Sequence, residues 1–191
     1  MENDELSAEE RAFLLDLARR AVVAAAAGAP APALDRETIP ARLWLPGAVF
    51  VTLTEADGSL RGCIGTLEAY QPLVEDVRAR AAAAAMEDYR FDPVRPAEAA
   101  DLRIEISRLT APRLLEYSDA ADLAHRLRPG SDGVILRDGG RRATFLPQVW
   151  EKLPKVETFL GELCRKMGAP ADLWRRKRLE VLVYQVEEFR E

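Results

Sequence analysis

Val49-Phe50-Val51-Thr52-Leu53-Thr54, then Ala56-Asp57-Gly58, then Leu60-Arg61-Gly62-Cys63-Ile64-Gly65: this stretch decides the fold. Two strand-like runs joined by a loop that contains Asp-Gly read as a β-hairpin. The second run brackets a cysteine with two glycines. Glycine weakens a strand interior, so the pair implies a bulge, a bend or a close approach by other backbone. On strict alternation Leu60, Gly62 and Ile64 share one face and Arg61, Cys63 and Gly65 the other, which sets a guanidinium beside a thiol.

Upstream of the hairpin, Ser7-Ala8-Glu9-Glu10 has capping-box spacing, and Phe13, Leu14, Leu17, Ala18, Ala21 and Val22 recur at helical intervals to about Ala26. Gly28-Ala29-Pro30-Ala31-Pro32 stops that helix, and a short helical turn is expected within residues 35–43. Downstream, Gln71-Pro72 opens what reads as the longest helix, with Leu73, Val77, Ala81 and Ala84 as its inner stripe and Pro93 beyond its end. Leu102, Ile104 and Ile106 alternate with Arg103, Glu105 and Ser107, the pattern of a half-buried strand. Ser118-Asp119 caps a short helix that Pro129-Gly130 follows, and Asp138-Gly139-Gly140 between two apolar runs is the clearest hairpin signal in the chain. Helical patterns cover 148–152, 157–167 and 171–174, and residues 181–189 read as one long strand. Hairpins and single strands separated by helices, without a repeated βαβ period, give an α+β fold with mostly antiparallel pairing. The two hairpins, each close to helices, hint at a duplicated architecture.

At 191 residues, 48% hydrophobic and 31% charged, the composition is that of an ordinary globular protein. A net charge of −5 argues against a nucleic-acid partner, whose footprint would be a basic excess. The run Arg175-Arg176-Lys177-Arg178 reads as a solvated helix face. No stretch approaches the ~18 apolar residues of a bilayer span, and the acidic N-terminal residues lack the basic region of an export signal. No membrane association is therefore expected; the expected compartment is the cytoplasm, with Cys63 and Cys164 as reduced thiols. One histidine and two distant cysteines give no structural zinc spacing, and no P-loop or dinucleotide fingerprint is present, so no metal and no cofactor are expected.

Cys63 is the sharpest chemical candidate, because a nearby cation such as Arg61 lowers a thiol's pKa and favours the nucleophilic thiolate. Cysteine is also among the most often buried residues and packs as a small hydrophobe. His125, the sole histidine, lies on a short polar helix and reads as solvent-facing, so a Cys/His dyad is not expected. That leaves Glu105 as the candidate base or orienter, although alternation alone also places a charge there. Asp88, Arg90 and Asp92 cluster at a helix end around Tyr89 and Phe91, either as a pocket rim or as a helix terminus tied down by Arg–carboxylate bonds.

Leu60-Arg61-Gly62-Cys63-Ile64-Gly65 resembles the signature hexapeptide (LRGCIG) of the AMMECR domain family, called protein A of the AmmeMemoRadiSam system in prokaryotes. Phe50-Val51-Thr52-Leu53, Asp88-Tyr89-Arg90-Phe91, Glu105-Ile106-Ser107, Leu146-Pro147-Gln148-Val149 and Phe159-Leu160 through Cys164-Arg165-Lys166 fit the same family in order, over about residues 7–189, so that residues 1–191 are expected to form a single AMMECR-type domain. Tyr89 and Trp150 depart from the common family pattern. The resemblance implies an α+β fold with two unequal subdomains of duplicated units around a barrel-like sheet. It also implies two partners, a Memo-like protein and a radical SAM protein, in a modification pathway. The expected site is a groove around Arg61, Gly62, Cys63, Gly65, Arg90 and Glu105. Three roles are consistent with it: an accessory or substrate-binding component, an enzyme using Cys63 as nucleophile with Glu105 as base or orienter, or a scaffold whose hexapeptide is structural.

Overall fold

Ser7 opens helix α1 (Ala8–Ala26) through a complete capping box: its hydroxyl accepts from the Glu10 N–H at 3.1 Å, and the Glu10 carboxylate accepts from the Ser7 N–H at 2.8 Å. Leu14, Leu17, Ala18, Ala21 and Val22 form its buried stripe, and Gly28 follows its end at φ +65°. The computed structural model describes residues 5–191 and divides into two compact units. The first comprises the described residues up to Thr110 together with Glu187–Glu191; the second is Ala111–Val186.

In the first unit β1 (Pro46–Thr54) is flanked on both sides by antiparallel partners, β2 (Leu60–Gly65) and β4 (Arg103–Leu109). The short β3 (Gln71–Pro72) pairs with the start of β1. Helix α2 (Leu73–Met86) packs on β1 and β2 and against α1. It is shorter than α1, 14 residues to 19, and it starts only at Leu73, since Gln71 and Pro72 form β3. The fully buried Asp76 fastens α2 to the sheet, accepting from the Val49 N–H at 3.0 Å, Gln71 Nε2 at 2.7 Å and Arg80 Nε at 3.2 Å. A short helix α3 (Pro96–Ala99) precedes β4. Val49, Val51, Leu53, Ile104 and Ile106 face a core completed by α1, α2 and Phe189.

The second unit carries β5 (Arg113–Leu114), helix α4 (Ala120–Arg126), the hairpin β6 (Gly133–Asp138) and β7 (Arg141–Phe145), helices α5 (Val149–Lys152), α6 (Val156–Lys166) and α7 (Leu173–Arg176), and β8 (Glu180–Tyr184). The β6–β7 turn has Gly139 at φ +59°, as its sequence requires. Its core is built on Phe159, Leu160 and Leu163 of α6, with Trp150 stacked on Phe159 at 3.6 Å and 4°. Trp150 Nε1 also donates to the Asp132 carbonyl at 2.7 Å. Gly161 stands inside α6 although an added Cβ would meet only ordinary contacts, 3.5 Å to the Ala171 carbonyl oxygen and 3.7 Å to its Cβ. Relative to alanine it costs the helix about 0.5–1 kcal/mol.

The α+β class and the antiparallel pairing hold, but the barrel-like sheet does not: there are two open sheets, ordered β2-β1-β4-β9 and β5-β8-β6-β7. The run 181–189 is two strands. β8 ends at Tyr184, and β9 (Val186–Arg190) joins the first sheet beside β4. Among the described residues, no helix is long and apolar enough to cross a membrane.

Candidate functional site

β2 is the outer strand of its sheet, and its sequence is shaped by what lies against it. A Cβ on Gly62 would strike the Ala84 carbonyl oxygen of α2 at well under the 3.0 Å that real Cβ atoms respect, so glycine lets the helix backbone approach the strand. Gly65 lies opposite Phe50, whose ring occupies the space a side chain would need; an added Cβ would also stand 2.6 Å from the Val49 carbonyl oxygen. Tyr184 covers Gly133 in the same way across the β6–β8 pair of the second unit.

The register runs Phe50↔Gly65, Thr52↔Cys63, Leu53↔Gly62 and then Thr54↔Leu60, so Arg61 is the extra residue of a β-bulge. Strict alternation therefore fails at this residue. The Arg61 guanidinium is paired at 2.7 Å with Glu98 of α3. The Glu98 carboxyl is held below its ordinary range, first by the Arg95 backbone N–H and then, against the effect of burial, by Arg61.

Cys63 is half-buried, and Thr52 Oγ1 donates to its Sγ at 3.3 Å. Thr52 also stands opposite Glu105 on β4, so Cys63, Thr52 and Glu105 form one cross-strand row on a single face of the sheet. Two strand spacings put the backbones of Cys63 and Glu105 roughly 10 Å apart. They flank Thr52 instead of making the direct hydrogen bond that a thiol–base pair needs. The half-buried Glu105 carboxylate has no ion pair or hydrogen bond among the described residues.

The outer backbone edge of Cys63 is closed by the loop after α2. Asp88 accepts from the Cys63 N–H at 2.8 Å, and Arg90 Nη2 donates to the Cys63 carbonyl at 3.4 Å. The two side chains grip each other bidentately, Nε to Oδ1 at 2.9 Å and Nη2 to Oδ2 at 2.6 Å. Together they offer the strand an acceptor and a donor, as a neighbouring strand would, and so blunt an exposed edge. The Arg90 hydrogen bonds hold the buried Asp88 carboxyl far below the usual carboxylate range despite desolvation, with the Cys63 N–H adding to the effect. Reciprocally, Asp88 raises the Arg90 guanidinium above its ordinary value. Tyr89, between them, is 94% exposed.

The structure thus brings together Cys63, Arg90 and Asp88, places Glu105 in the same row beyond Thr52, and turns Arg61 toward Glu98. His125 is exposed on α4 of the other unit. Thr52 and Glu98 escaped sequence reading. Thr52 looks like any β-branched strand residue, and Glu98 lies in a stretch that reads as a connection. Cys164 is fully buried, and burial pushes its thiol up. Treating the native protein with a thiol-alkylating reagent is therefore expected to modify Cys63 and spare Cys164 until denaturant is added, as peptide mass mapping would show.

These features define a class: an antiparallel α+β protein that presents a thiol and a carboxylate in register on one face of a sheet whose edge is sealed by an Asp–Arg pair. Residues 15–189 match the AMMECR1 family. Protein MK0488 of Methanopyrus kandleri is 36% identical over 195 residues, covering 98% of this chain and 91% of that one. A protein of Thermofilum pendens is 38% identical over 198 residues, covering 96% and 91%. The crystal structure of an uncharacterized protein, PH0010 from Pyrococcus horikoshii, is similar with a TM-score of 0.77 and 34% identity, over 97% of this chain and 93% of that one. The chain belongs to the AMMECR1 family, as the hexapeptide and its ordered companion blocks imply.

Proposed function

We propose that this protein is an accessory or substrate-binding component of a cytoplasmic modification pathway, acting with a Memo-like protein and a radical SAM protein. The Cys63–Thr52–Glu105 row is its contact with substrate. The observation that carries this reading is the division of labour around Cys63. Asp88 and Arg90 satisfy its backbone and each other, whereas its thiol is half-buried and the Glu105 carboxylate has no partner among the described residues. A charged group left unpaired on a half-buried sheet face is suited to an incoming polar ligand. The partner assignment rests on the resemblance of the hexapeptide and its companion blocks to the AmmeMemoRadiSam protein A pattern.

Co-expression with a Memo-like protein and a radical SAM protein is the direct test. Capture of either partner by the tagged protein is the expected result, with Glu105→Ala lowering pathway activity while leaving capture and melting temperature unchanged. Failure to capture both partners under several salt and pH conditions would overturn the reading.

A second reading, in which Cys63 acts as nucleophile, draws on the Thr52 hydroxyl, which donates to Sγ and fixes where the sulfur lies on the sheet face. In that case Glu105 acts across a bound ligand and not on the thiol directly. Full pathway activity in Cys63→Ala would remove this second reading and leave the first intact.

A further inference from the structure

Helices α6 and α7 of the second unit leave an open groove of about 330 Å³ between them. That is the lower end of the range for small-molecule sites. Its walls carry Glu157, Thr158, Gly161, Glu162 and Arg165 from α6, with Trp174 and Arg175 prominent on the opposite side. Most of the charge here is internally matched: Arg165 pairs with Glu162, and Arg176 pairs with Asp172 at 2.7 Å. One carboxylate, Glu157, and one guanidinium, Arg175, have no ion pair or hydrogen bond among the described residues.

The Arg175 guanidinium lies 4.7 Å over the Trp174 ring. A guanidinium held near an aromatic ring keeps N–H groups able to take a carboxylate through two parallel hydrogen bonds. Trp174 is itself 5% exposed, so the platform beneath Arg175 is rigid.

Gly161 is the independent observation. It sits inside a regular helix, where glycine is disfavoured, and it is neither at positive φ nor pressed by a neighbour. Neither local conformation nor packing accounts for it, yet it lines the groove between the two unpaired charges' helices. A methyl group at this position would come into van der Waals contact with Ala171, another residue of the groove wall, and so narrow the groove.

We propose that this groove binds a small zwitterion of amino-acid size, its carboxylate on Arg175 and its ammonium on Glu157. A free α-amino acid and a short peptide offer the same pair of charges at different separations. Isothermal titration of the full chain with L-leucine, L-glutamine and the dipeptide Ala-Ala distinguishes the two sources, and N-acetyl-L-leucine, which lacks the ammonium, serves as the control. Saturable binding of at least one zwitterion is expected. Arg175→Gln weakens that binding roughly tenfold or more, the loss expected for a hydrogen-bonded charged contact. Glu157→Gln weakens the zwitterion but leaves any binding of N-acetyl-L-leucine unchanged. Gly161→Ala raises the melting temperature by about 2–4 °C and abolishes binding. Absence of saturable binding by the wild type, unchanged affinity in both charge variants, or a lowered melting temperature in Gly161→Ala would each overturn the proposal.

Discussion

Gly62→Ala is expected to destabilise the first unit by about 3 kcal/mol or more, at the upper end of overpacking costs. Alanine in place of glycine normally stabilises slightly, by restricting the unfolded chain. Here the new methyl would drive into the Ala84 carbonyl oxygen, a backbone atom in the last turns of α2. A side chain can swing aside; this carbonyl cannot move without shifting α2 from the sheet. α2 is also held at its other end by Asp76 on the Val49 N–H, so the helix is fixed at both ends of the strand pair. Urea denaturation of the full chain would show a lower midpoint for Gly62→Ala. Truncating the partner in Ala84→Gly should give no rescue, because the clash is with the backbone. A near-wild-type midpoint would mean that α2 does not approach β2 this closely. Gly161→Ala is the informative contrast: the same substitution, with an effect of opposite sign, because one methyl is driven into a backbone carbonyl and the other meets only ordinary contacts.

Asp88→Ala is expected to cost about 2–4 kcal/mol, the sum of a lost charge-assisted bond and an unsatisfied Cys63 N–H. Arg90, with a side chain 44% exposed, can turn to water and so adds little to the penalty. Asp88→Asn, which retains an acceptor but not the charge, should fall between wild type and alanine. The pH dependence has a definite sign. The folded-state Asp88 pKa is depressed, so its stabilisation is fully present above the ordinary carboxylate value of about 3.9 and is lost as pH falls toward the folded-state value. Midpoints measured from neutral to strongly acidic pH should therefore decline more steeply in wild type than in Asp88→Asn. Equal acid limbs would mean that other carboxylates dominate.

Local signals transferred well from sequence to structure, and non-local ones did not. The Ser7–Glu10 capping box, the Asp119 cap of α4 and the Asp138-Gly139-Gly140 turn are each complete within a few residues, and each was legible. Gln185 shows the opposite case. Nothing in Val181–Phe189 marks a break, because the run holds no glycine or proline, and only the presence of two sheets gives the break meaning. The site was partly legible for the same reason. Cys63, Arg90 and Glu105 stand out by residue type, and the choice between a rim and a tied-down terminus at Asp88 was visible as a choice. The two glycines around Cys63 imply a bulge without locating it, and the inserted residue, Arg61, has no special type. The pairing of Arg61 with Glu98 depends on α3 folding back over a separation of 37 residues, which no periodicity encodes.

The first unit also has an order of assembly written into it. Its last strand, β9, comes, apart from Val186, from residues made only after the whole of Ala111–Val186. Phe189 belongs to the first core, Glu187 bonds Arg11, Arg108 and the Leu6 N–H, and Glu191 pairs with Arg19. The second unit is one uninterrupted segment and can complete itself as it leaves the ribosome. The first, although begun earlier, must wait with an open sheet edge beside β4 until its final residues arrive. During synthesis the earlier half of the chain is thus the later to mature, and the Cys63 face belongs to the half that waits.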